Sequence, residues 1–99
     1  MLRIDKNADG ELLTVALKGR LDITTAPGLE EDVKGSLSGI TKLEFDIAEL
    51  DYISSAGLRV LLSCQKIMSK QGSMVVKNPT EEVKEIFDIT GFSDILTIE

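Results

Sequence analysis

The apolar residues of this 99-residue chain keep switching between two spacings, and that alternation restricts the fold more than any other feature. Side chains on a strand alternate between faces, whereas a helix returns to one face every three or four residues. Leu2 and Ile4 alternate with Arg3 and Asp5, and Leu13, Val15 and Leu17 alternate with Thr14, Ala16 and Lys18. Asp9-Gly10 lies between the two runs as a turn signal, so the opening reads as a hairpin whose second strand is punctuated by Gly19. Ala26, Leu29, Val33 and Leu37 then recur at helical spacing. Thr24 and Thr25 are candidate N-caps for that helix, Pro27 suits its first turn, and Gly39 ends it. Thr41 to Ile47 returns to alternation, with Leu43, Phe45 and Ile47 on one face.

The second half repeats the scheme. Ser55 to Lys70 carries Leu58, Leu61, Leu62, Cys64, Ile67 and Met68, a stripe broad enough for a helix well buried against a sheet. Ser73 to Val76 reads as a short buried strand. Asn78-Pro79-Thr80-Glu81 predicts a helix start with Asn78 as the cap, Val83, Ile86 and Phe87 as the apolar face, and Gly91 as the C-cap. Ile95 to Ile98 is expected to form a final strand. The order is β-β-α-β-α-β-α-β, which implies one α/β domain over residues 1–99 with a mixed sheet and parallel crossovers. No linker, repeat or low-complexity segment divides it.

Composition narrows the function. There is no histidine, which removes the Ser-His-acid triad, the Cys-His pair, the usual imidazole base and most zinc sites. The expectation is a binding or regulatory module with no enzymatic activity, no cofactor and no metal. A net charge of −6 argues against nucleic acid, whose binders need a basic footprint. No apolar run approaches the ~20 residues of a membrane span, and the first residues do not read as a signal peptide, so neither membrane insertion nor export is expected. The lone Cys64 cannot form an internal disulfide, suits a reducing cytoplasm, and falls within the apolar pattern as an inert core thiol.

In a parallel sheet, functional groups collect where strands end and helices begin. Two such turns stand out, Gly19 to Thr25 and Leu50 to Leu58. The second puts Ser54 and Ser55 at the opening of the longest helix, where free amides and the helix dipole favour an anion, including a phosphate carried on a side chain. Gly57 has no side chain there and is expected to admit a partner close to the backbone.

At these residues the sequence resembles a known family. LDYISSAGLRVLL is similar to the signature of the STAS domain, the fold of bacterial anti-sigma factor antagonists. GRLDITTAPGLEEDV, KLEFDIAEL and NPTEEVKEIFDITGF extend the resemblance over nearly the whole chain. The resemblance implies a partner that is both an anti-sigma factor and a serine kinase. It also implies a serine/threonine phosphatase that reverses the phosphorylation. By position the phosphoacceptor falls on Ser55, two residues before Gly57-Leu58; Ser54 stands where the family has an aspartate, and Ala56 where it has Ser or Thr. Asp22 matches an acidic position beside the phosphoacceptor, so the implied partner surface comprises Asp22, Ser54, Ser55, Ala56, Gly57 and Leu58. Asp46 matches an acidic or amide position ending the central strand and reads from its place as an acceptor for nearby amides.

Each assignment has a plainer counterpart. Ser55 can serve as a helix cap, Ser54 as a turn or cap residue, and Asp22 as a brace for the first helix. The competing function is a STAS accessory subunit of a lipid or anion transport system, or a signalling scaffold, using the same helix start without phosphoryl chemistry. A hydrolase built on Ser55 lacks a general base.

Overall fold

Strand β1 (Leu2–Asp9) pairs antiparallel with β2 (Leu12–Leu21), and Gly10, at φ 62°, supplies the positive backbone angle that their two-residue loop requires. The computed structural model describes residues 1–99. Helix α1 (Ala26–Lys34) then crosses to β3 (Lys42–Ile53), α2 (Ser55–Gln71) to β4 (Ser73–Lys77), and α3 (Glu81–Thr90) follows. The sheet order is β1-β2-β3-β4, with the β2–β3 and β3–β4 pairs parallel. In-register residues explain the single core. Leu13, Leu43 and Met74 line up across β2, β3 and β4, as do Val15, Phe45 and Val76, all buried on one face. That face joins Leu29, Val33, Leu61, Met68, Val83 and Phe87 from the helices in one cluster. The opposite face carries Thr14, Glu44, Asp46 and Lys77, with Glu44 bridged to Lys42 at 3.7 Å and Lys77 at 3.3 Å. The α/β mixed-sheet class expected from the sequence is therefore the one observed.

Several boundaries differ, each for a physical reason. Helix α1 stops at Lys34 rather than near Gly39, because Ser36 bonds back to the Val33 carbonyl in a tighter turn and the Gly35 amide closes the helix end. Leu37 stays buried in the connection, whose Leu37 and Ile40 carbonyls accept from Gln71 Nε2 at 2.8 and 2.6 Å. Helix α3 is capped by Thr80, not Asn78: its hydroxyl accepts from the Val83 amide at 3.3 Å. Asn78 instead takes φ 60° and redirects the chain after β4, a conformation asparagine tolerates better than most residues. Gly91 is the left-handed C-cap, as expected.

The final strand is a correction. Residues Phe92–Asp94 form a 3-10 turn, and the amides of Ile95 and Leu96 are both committed to the Phe92 carbonyl. The chain regains the sheet only as a single parallel bridge of Ile98 to Val76, whose amide donates to the Thr97 carbonyl at 2.9 Å and whose carbonyl accepts from the Glu99 amide at 2.9 Å, so the order is β-β-α-β-α-β-α.

The largest departure is in β3, which runs six residues past Ile47, to Ile53. Two irregularities in its pairing with β2 each insert one extra residue, between Asp46 and Glu49 and between Leu50 and Tyr52. The strict alternation ends at Ile47, yet Ile47, Leu50 and Ile53 all point into the core. Asp46 is thus mid-strand rather than at its end. Its Oδ1 accepts from the Ala48 amide at 3.1 Å and from Asn78 Nδ2 at 3.3 Å, serving the first bulge as an acceptor.

Candidate functional site

The extension of β3 builds the site. Leu21 pairs with Ile53, and the Ser54 amide donates to the Leu21 carbonyl at 2.9 Å, so the chain leaving β2 and the chain entering α2 lie side by side. Gly19 belongs to β2 rather than ending it; at φ 103° it leaves room for the Met1 carbonyl, which a Cβ there would meet at 2.3 Å.

Ser54 has extended backbone angles and is the N-cap of α2: its Oγ accepts from the Gly57 amide at 3.3 Å, and its carbonyl accepts from Leu58 at 2.9 Å. Ser55 is the first residue of the helix proper and is exposed, and no intramolecular hydrogen bond engages its hydroxyl. Of the two serines, capping falls to Ser54.

The next residues turn inward. Ala56 is half-buried, while Gly57 and Leu58 are buried. The expectation that Gly57 opens the backbone to a partner needs correction: a Cβ there would lie 2.7 Å from Leu21 Cγ and 2.8 Å from Ile53 Cγ1. Its missing side chain lets the first turn of α2 sit directly on the ends of β2 and β3.

Asp22 organises the neighbouring turn. Its Oδ1 accepts from the Thr24 amide at 2.9 Å, the Thr24 hydroxyl at 2.6 Å and the Thr25 amide at 3.2 Å. These donors stabilise the carboxylate, the Thr24 hydroxyl most of all, and hold the Asp22 pKa below the usual range. Thr25 occupies the N-cap position of α1 without capping it; its hydroxyl accepts from the Asp22 amide at 2.9 Å and donates to the Arg20 carbonyl at 3.0 Å. Asp22 instead ties down the Thr24 and Thr25 amides of the turn that leads into α1.

Residues that sequence reading passed over complete this surface. Arg20 lies 4.6 Å over the Tyr52 ring, with its Nε 3.9 Å from Asp22 Oδ2. Ile23 is 76% exposed at the tip of the turn. Beside it a shallow groove of about 230 Å³ runs between α1 and α2, walled by Ile23, Pro27, Glu30, Ala56 and Arg59. The Arg20–Tyr52 stack depends on the second bulge and left no signal in the sequence, whereas an isoleucine between Asp22 and two threonines was a visible anomaly. The surface offers an unencumbered hydroxyl, fixed charges and an apolar tip, but no base beside the hydroxyl.

A four-stranded mixed sheet carrying its helices on one face is the architecture of the STAS domain. The family model of that domain matches residues 3–99, and the chain belongs to the STAS family. BtrV of Bordetella bronchiseptica is 36% identical over 99 residues, covering 98% of this chain and 84% of that protein. The anti-sigma-B factor antagonist of Bacillus subtilis is 30% identical over 98 residues, covering 98% and 90%. Among solved structures, the anti-sigma factor antagonist SpoIIAA in its unphosphorylated form superimposes with a TM-score of 0.83 at 16% identity, over 100% of this chain and 88% of that one. The Bacillus protein in its phosphorylated form gives 0.75 at 15%, over 100% and 91%.

Proposed function

We propose that this chain is an anti-sigma factor antagonist, a binding regulator rather than an enzyme. Unphosphorylated, it engages an anti-sigma factor that is also a serine kinase, through the surface around Asp22, Ser54, Ser55 and Ala56. The kinase transfers the γ-phosphoryl group of ATP to Ser55 Oγ, releasing ADP and the hydroxyl proton, and a serine/threonine phosphatase hydrolyses the ester. The observation that carries this reading is the division between the serines: Ser54 caps α2, which leaves Ser55 exposed and free for transfer. The names of the relatives and the existence of SpoIIAA in a phosphorylated form support it.

The mechanism is electrostatic. Phosphate adds about 1.5–2 negative charges to a domain whose net charge is already −6. The N-terminal end of α2 stabilises that charge, so the domain need not refold. A partner surface fitted to a neutral serine then meets a bulky, charged ester that it does not complement, and releases. Glycine at 57 and leucine at 58 hold the presenting turn from beneath.

The test compares Ser55→Ala, Ser55→Asp and Ser54→Ala for partner affinity and for phosphate incorporation from ATP. Ser55→Ala binds and resists release, Ser55→Asp binds much more weakly, and Ser54→Ala is still labelled. Equal binding by the two position-55 variants, or label that survives in Ser55→Ala, overturns the reading.

A further inference from the structure

We propose that Arg59 is the built-in counter-ion of the modified site, pairing with a phosphate on Ser55 one helical turn away. The inference rests on the phosphorylation reading above and adds to it a residue and a consequence. Residues four apart on a helix are neighbours, and their side chains lean toward its N-terminus, so a long side chain at position 59 covers the surface above position 55. Both residues are exposed on α2, and Arg59 shares the groove wall with Ala56.

The charges nearby single it out. Arg20, on the adjoining turn, is held by the Tyr52 ring at 4.6 Å and by Asp22 at 3.9 Å. Lys34, on α1, lies 3.6 Å from Glu30. Arg59 enters none of the ion pairs of the fold. Asp22 on the turn and Glu30 on the facing helix each already have a cationic neighbour, and Asp51, near the end of β3, enters no ion pair.

A guanidinium fork matches phosphate oxygens better than any other side chain. In the unmodified protein Arg59 leaves its positive charge on the groove wall. After modification that charge is drawn to the ester. One phosphoryl transfer therefore changes two neighbouring features of the partner surface: position 55 becomes negative and the groove loses its cation.

The test uses the full chain with phosphoserine installed at position 55 by genetic encoding and follows its ³¹P resonance through a pH titration. An ion pair favours the dianion, so the second phosphate pKa lies lower in the parent than in Arg59→Gln by about half a unit or more. Arg59→Lys restores part of the shift, and Arg20→Gln leaves it in place. Identical midpoints in the parent and Arg59→Gln overturn the proposal, as does a shift that follows Arg20 instead. Because the phosphate is installed directly, the titration decides the pairing whether or not a kinase labels Ser55, and kinase labelling decides the functional reading by itself.

Discussion

Two adjacent serines divide the work at the start of α2, and stability measurements can separate them. Ser54 satisfies the Gly57 amide, so Ser54→Ala is expected to lose about 1 kcal/mol in urea denaturation. Ser55 has no such bond, and Ser55→Ala stays within about 0.5 kcal/mol of the parent. A larger loss at position 55 than at 54 would reverse the assignment of the cap. Gly57 supplies the second residue-scale test. The methyl group of Gly57→Ala must displace Leu21 or Ile53, both fully buried, and the expected cost is about 1–3 kcal/mol. A variant that unfolds at the parent's midpoint would show that the helix start can lift away without penalty.

At the scale of an element, the turn between β2 and α1 is held by one carboxylate. Asp22 accepts the Thr24 and Thr25 amides, and its pKa lies below that of an unfolded-chain aspartate. A group whose pKa is depressed by folding stabilises the native state above its unfolded pKa, and that contribution fades as pH falls through the folded value. The ¹³C carboxyl titration of Asp22 should therefore have a midpoint below the ordinary aspartate range. Asp22→Asn keeps an oxygen for the two amides and cannot titrate, so its stability declines less on acidification than the parent's. An ordinary midpoint for Asp22, or identical acid limbs, would sink the argument. The bulges of β3 work at the same scale. Each advances the strand by one residue relative to β2, which turns Leu50 and Ile53 inward and delivers Ser54 to the Leu21 carbonyl.

For the whole molecule, the single core cluster means that helices and sheet protect one another. Cys64 lies inside it, fully buried, and burial pushes its thiol pKa up to about 11, with Lys34 a smaller opposing influence. The thiol is thus both shielded and protonated at neutral pH. Its labelling by an aromatic disulfide reagent should be slow in the native protein and should accelerate in step with global unfolding as urea is added. Fast labelling without denaturant would show that α2 opens by itself.

Local chemistry determined much of this protein in advance. Alternation marked the hairpin and the first half of β3, helical spacing marked α1, α2 and α3, and Gly91 marked a C-cap, because each depends on residues a few positions apart. The serine pair was legible at a helix start for the same reason, whereas Asp22 entered the candidate site through the family resemblance. What remained hidden depended on pairing between distant segments. The strand to Ile53 breaks its own alternation and exists because β2 lies beside it; the segment from Ile95 to Ile98 looks like a strand, but its first amides are taken by Phe92. Which serine caps α2 was decided by the Leu21 carbonyl, 33 residues earlier than Ser54, and which way Gly57 faces was decided by Leu21 and Ile53. Short-range spacing encodes an element's type, whereas its length, register and the direction of its side chains are set by the neighbours it meets only after folding.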